Sequence, residues 1–117
     1  MIRDEFDTYC ASLTSTTHVV QWGGASVWKI GGKVFAIHTG LGEKDIHTLS
    51  FKCSDLNFQI LCELENIIPA PYLARGKWVQ ILTEDAMSEG DIEDYINASF
   101  HIISKKLTRK LQTELGL

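Results

Sequence analysis

Two pairs of adjacent glycines, Gly23-Gly24 and Gly31-Gly32, each stand between runs of β-favouring residues. A two-residue type I′ hairpin turn needs positive φ at both central positions, which glycine adopts without steric cost. The chain from His18 to Thr39 therefore reads as three antiparallel strands: HVVQW at 18–22, then ASVWKI, then KVFAIHT. A turn at LGEKD (41–45) leads into a fourth strand, IHTLSFKC, at 46–53. On that strand Leu49, Phe51 and Cys53 share one face and Thr48, Ser50 and Lys52 the other, so Lys52 is expected on the more open side.

Helical periodicity frames this β-rich centre. Ile2, Phe6, Tyr9, Cys10 and Leu13 recur on one face at 3.6 residues per turn, with Asp4, Glu5 and Asp7 in the first turns, where the helix dipole favours negative charge. The segment TSTT at 14–17 interrupts that pattern. Ser54 is a natural N-cap for a second helix running to about Asn66, with Leu56, Ile60, Leu61 and Leu64 as its buried face. The stretch NIIPAPYLARGKW, holding both prolines, reads as irregular, and Trp78 opens a short strand, WVQIL. Ser88 and Asp91 are spaced like a capping box for a last helix. Its stripe is Ile92, Tyr95, Ile96, Ser99, Ile103 and Leu107, with Lys105, Lys106, Arg109 and Lys110 in its final turns. The order α-β-β-β-β-α-β-α has no alternating βαβ rhythm. It predicts an α+β fold: an antiparallel sheet of about five strands with helices packed on one face.

At 117 residues the chain is expected to form a single domain, 1–117, with one core. An apolar content of 44% against 22% charged residues excludes a disordered or low-complexity chain. The net charge of −4 argues against coating nucleic acid by bulk positive charge. No apolar run approaches a membrane span, and the acidic start MIRDEFD is unlike a signal peptide, so a cytoplasmic protein without membrane association is expected. Three cysteines without a CxxC pair fit reduced thiols.

Catalytic and metal chemistry are hard to find in the sequence. The four histidines are scattered. His38 and His47 can meet across neighbouring strands near Glu43 or Asp45, but they lack the tight ligand pairs of a zinc site. There is no GxSxG elbow, and the glycine pairs lack the GxxxxGK[ST] pattern of a phosphate loop. The acidic group Asp4, Glu5 and Asp7 is too small to favour an iron-binding helix, and the run from Glu84 to Asp94 reads as a solvated linker. No catalytic constellation, cofactor or metal is expected. Arg75-Gly76-Lys77-Trp78, by contrast, reads as a turn with two cations and an aromatic, which suits phosphate neutralisation and base stacking. Trp78 is equally well read as a core residue at the start of its strand.

The segment FKCSDLNFQILCELENIIPAPYLARGKWVQI resembles the signature of the MmcQ/YjbR family of small bacterial proteins. The likeness extends over nearly the whole chain. It includes the Gly31-Gly32-Lys33 turn followed by Phe35 and Ala36, the Lys52-Cys53 strand end, and Tyr72 with the Lys77-Trp78 turn. It closes on Ser99 and Phe100, followed by Lys106, Leu107, Arg109 and Lys110. The resemblance implies a double-wing α+β fold and the family's usual expectation of DNA binding, which rests on fold analogy. Where the family turn carries His and Asn, this chain has Leu73 and Arg75, so positive charge and a flat aromatic are what remain.

The expectation is a non-enzymatic binding module that contacts DNA phosphates through Lys52, Arg75 and Lys77, with Tyr72 or Trp78 alongside. Such binding would be weak and salt-sensitive. The alternative is a module for a small anionic ligand or a protein partner, with a pocket around Lys52, Tyr72, Arg75 and Trp78.

Overall fold

The second glycine pair behaves as its residue types require. Gly31 and Gly32 have φ of 58° and 81°, and they join strands paired Ile30 to Lys33. The first turn is wider. Trp22, Gly23 and Gly24 all have positive φ, so Trp22 leaves the strand and forms part of a three-residue turn closed by Gln21 and Ala25. The first strand begins two residues earlier than expected, at Thr16. The computed structural model describes residues 1–39 and 48–117. The expected LGEKD turn and the first two residues of the expected fourth strand lie outside them.

The element order is α1 (Arg3–Ser12), β1 (Thr16–Gln21), β2 (Ala25–Ile30), β3 (Lys33–His38), β4 (Leu49–Lys52), α2 (Asp55–Leu61), β5 (Ile67–Pro69), β6 (Trp78–Ile81), α3 (Glu89–Ser104) and α4 (Arg109–Glu114). The described strands form one antiparallel sheet in the order β1-β2-β3-β4-β6-β5. The fold is α+β, with six strands among the described residues where about five were expected. The additional one, β5, lies inside the segment read as irregular. It is three residues long and ends on Pro69, and it occupies the sheet edge, where a missing N–H costs no ladder bond.

All four α-helices of the described residues send side chains to one face of the sheet. Phe6 and Cys10 of α1, Leu61 of α2, and Ile92, Ile96, Phe100 and Ile103 of α3 pack with Ile30, Phe35, Leu49, Phe51 and Val79. Leu111 of α4 and Leu115, which caps its end, lie half-buried against the same core. A bulge shifts the β2–β3 register so that Trp28 faces Ala36 and Lys29 faces Val34. The extra residue, Phe35, is thereby turned into the core beside Ala36, and its ring meets Phe100 edge-to-face at 5.5 Å. On the opposite face Ala25, Val27, Ile37 and Trp78 form a smaller apolar cluster with Ala70.

Three helical expectations are corrected. First, α2 stops at Leu61 rather than near Asn66, whose φ of 64° reverses the chain. Second, its buried face matches the expected one only at Leu61. Leu56 is 65% exposed and Ile60 and Leu64 are also exposed, while Phe58, Leu61 and Cys62 turn inward. A helix of two turns packs through one i, i+3, i+4 row, and tertiary contact selected a different row. Third, the last helix is two helices. The longer ends at Ser104, and Thr108 then caps the amide of Leu111 to start α4, so Arg109 and Lys110 open a helix instead of closing one. The expected caps formed by Ser54 and Ser88 are present, each accepting from the N–H three residues on at 3.2 Å.

Candidate functional site

The end of β4 and the start of β6 set the geometry of the candidate turn. Lys52 is the register partner of Trp78, and the Cys53 amide donates to the Lys77 carbonyl at 2.8 Å. The chain between β5 and β6 is a closed loop. Ala70 N–H donates to Trp78 O, Leu73 N–H to Ala70 O, and a 3-10 turn over Ala74–Gly76 ends on Lys77 in the left-handed region, φ 63°. The Lys52 ammonium donates to the Gly76 carbonyl, bracing the loop against the sheet. The Lys77 ammonium lies 5.1 Å from the centre of the Phe58 ring, a cation–π contact.

Lys106 joins this group from a distant part of the sequence. Ser99 is fully buried on α3. Its hydroxyl accepts from the Lys52 amide at 3.0 Å and donates to the Phe35 carbonyl at 2.7 Å, fixing α3 against the sheet at Lys52. Lys106 follows seven residues on. Burial, and after it the charge of Lys106, pull the Lys52 pKa below the ordinary lysine value; Asp55 opposes this and Lys77 adds to it.

Of the expected site residues, Lys52, Arg75 and Lys77 are brought together with Tyr72 on or against one loop. Tyr72 is fully exposed, in the left-handed region at φ 66°, and Arg75, three residues on in the same loop, is exposed too. Trp78 is corrected: at 8% exposed it belongs to the opposite-face cluster with Ala25, Val27, Ile37 and Ala70 and offers no face to a base. The pocket envisaged around it for an anionic ligand loses that wall. From the sequence Lys106 was placed only in the final turns of the last helix. Lys106 lies two residues past the end of α3, so its place follows from how that helix docks through Ser99 and carries no local signal.

The fold also separates charge. The β2–β3 turn, the exit of β4 and the entry of β6 share one end of the sheet. The chain after α3 arrives at the same end, because Leu107 packs on Gly31 so closely that a Cβ there would lie 2.6 Å from it. Exposed Lys33, Arg75, Lys105 and Lys106, with half-buried Lys52 and Lys77, therefore gather at that end. A cleft of about 470 Å³ follows α1 and the start of α3, lined by Asp4, Glu5, Glu89 and Glu93 with Met1, Thr8, Tyr9 and Ser12. There Glu5 and Glu89 hydrogen-bond through their carboxyl groups, which lowers the Glu5 pKa and raises that of Glu89.

A Ser-His-Asp contact that the sequence did not reveal lies between α1 and the first hairpin. The buried Ser26 hydroxyl donates to Asp7 Oδ1 at 2.5 Å and lies 2.8 Å from His18 Nε2; Trp28 Nε1 also donates to Asp7 at 2.9 Å. The order is wrong for nucleophile activation. The hydroxyl sits between imidazole and carboxylate, its proton is committed to Asp7, and the residue is fully buried. The contact ties α1 to β1 and β2. The thiols are held protonated: burial raises Cys10 and Cys62, and pushes Cys53 up to about 12. Among the described residues no three His, Cys, Asp or Glu side chains are placed to hold a metal. His47, Glu43 and Asp45, weighed for one, lie outside them. Among the described residues no helix is long and apolar enough to cross a membrane.

This is an α+β domain whose open antiparallel sheet carries its helices on one face and a basic loop at one end. The YjbR family model matches residues 11–102, and the chain belongs to the YjbR family. Two solved structures share the fold. A Deinococcus radiodurans protein with a DUF419 domain superposes with a TM-score of 0.85 at 20% identity, covering 97% of this chain and 87% of its own. A Pseudomonas syringae protein from a structural genomics consortium gives 0.73 at 19% identity, covering 88% and 99%. No curated protein matches the chain.

Proposed function

We propose that this protein is a non-enzymatic DNA-binding module of the cytoplasm that holds the phosphate backbone with the basic end of its sheet. The observation that carries this reading is the convergence of Lys52, Arg75, Lys77 and Lys106 from three separate parts of the chain onto one loop. The net charge of −4 does not oppose it. Along α3 the ten residues from Glu89 to Ser99, where the Lys52 amide docks, span about 15 Å at 1.5 Å per residue. That is about two screening lengths at physiological ionic strength, so the carboxylate of Glu89 is largely screened from a phosphate at the loop. Contacts of this kind position a strand without reading its sequence.

Four phosphate contacts give a slope of log K against log salt of about −3.6 on duplex DNA, a loss of roughly 100-fold between 50 and 200 mM salt. Fluorescence anisotropy of a labelled oligonucleotide across that range is the test. A slope near this value supports the reading. An affinity indifferent to salt, or no binding by the folded protein at 50 mM, would overturn it.

A further inference from the structure

We infer that the strand held by this loop is single, and that Tyr72 is the platform on which one of its bases stacks. The inference rests on the DNA reading above and adds the form of the ligand.

Tyr72 is fully exposed with φ 66°, a conformation that is strained for a bulky residue and that glycine would adopt freely. No packing accounts for it, because the ring touches no core. The loop that carries it is stiff. Pro69 and Pro71 precede it, the Ala70–Trp78 bond closes it, and the Lys52 ammonium holds it at Gly76. An exposed aromatic on a braced loop that also carries Arg75 and Lys77 is the arrangement that takes an unpaired base by its face and the flanking phosphates by their charge.

Duplex DNA offers this loop less. Its base faces are buried in the stack, and sequence is reached only through the grooves, most often by a helix. The two longest helices are unsuited to that: α1 exposes Asp4 and Glu5, and α3 exposes Glu89, Asp91 and Asp94. A phosphate-lined groove repels both.

The experiment compares an oligothymidylate of about 12 nucleotides with a duplex of the same length, by anisotropy, on wild type, Tyr72→Ala, Tyr72→Phe and Tyr72→Gly. The single strand is expected to bind at least about tenfold more tightly than the duplex, and Tyr72→Ala to lose about 5- to 150-fold of that affinity. The salt slope of Tyr72→Ala should stay at the wild-type value, since its phosphate contacts remain, and Tyr72→Phe should bind like wild type. Tyr72→Gly removes the ring while easing the backbone, so its melting temperature should hold or rise as binding falls. Equal or tighter duplex binding, or an unchanged affinity in Tyr72→Ala, would overturn the inference while salt-dependent binding keeps the DNA reading intact. Absence of salt-dependent binding to either oligonucleotide would overturn both.

Discussion

Reversing Arg75, Lys77 and Lys106 to glutamate is expected to weaken DNA binding by at least about 100-fold, below detection at physiological salt. Non-specific affinity comes almost wholly from phosphates neutralised, and this variant removes three cations from the surface and adds three repulsive charges. Lys52 is left in place on purpose. Its ammonium holds the Gly76 carbonyl, so its loss would disturb the loop as well as the charge. Arg75 and Lys106 are exposed, and Lys77 gives up only its contact over the Phe58 ring, so the fold should survive and thermal melting should stay near wild type. The control is Glu89→Lys with Asp94→Lys at the start of α3. It raises the net charge but leaves the loop alone, and the affinity should move by no more than about threefold. If the affinity shifts scale with the charge changes, six units lost in the triple variant against four gained in the control, net charge and not the loop governs binding.

Phe35→Ala is expected to cost about 3–5 kcal/mol, a large share of the 5–15 kcal/mol that holds a domain of this size. The ring is fully buried, and its edge-to-face contact with Phe100 joins the sheet to α3. Its position depends on the β2–β3 bulge, which puts an extra residue into β3 and lets Phe35 and Ala36 both face the core. Truncation leaves a cavity where the backbone carbonyl of the same residue receives the Ser99 hydroxyl, so collapse would disturb a buried hydrogen bond. Urea or thermal unfolding is the measurement, with a fall in melting temperature of about 10 °C or more. A cost under 1 kcal/mol would mean that the bulge does not hold the ring in the core.

The parts of this structure that were readable from the sequence are those fixed by local chemistry. Gly31 and Gly32 announce their turn because few other residues tolerate both φ values. Ser54 and Ser88 announce helix starts because a hydroxyl there satisfies an orphan amide. The alternation from Leu49 to Cys53 placed Lys52 on the open side, where it is half-buried and reaches the loop. What was hidden depended on contacts made across the chain. β5 is three residues with a proline, too short for a pattern, and it exists because β6 offers it a ladder. The choice of Leu61 over Leu56 as the buried leucine of α2 is made by the sheet beneath it.

The candidate site divides in the same way. Lys52, Arg75 and Lys77 are close in sequence or share a strand end, so residue types alone suggested them. The burial of Trp78 could not be read locally, because an aromatic opening a strand can face either side, and Ala70, Val27 and Ile37 decide it. Lys106 enters only through the helix docking that Ser99 fixes. The Asp7–Ser26–His18 contact joins three elements and has no local signature at all.

The most direct test of the account is to map the contact surface by recording amide chemical shifts as an unlabelled oligonucleotide is added to the isotopically labelled protein. The largest shifts are expected over Lys52 and Cys53, Ala70 to Trp78, and Lys105 to Leu107, fading as salt is added, with the amides around Glu5 and Glu89 unmoved. Shifts centred on the α1–α3 cleft, or spread evenly over the surface, would contradict it.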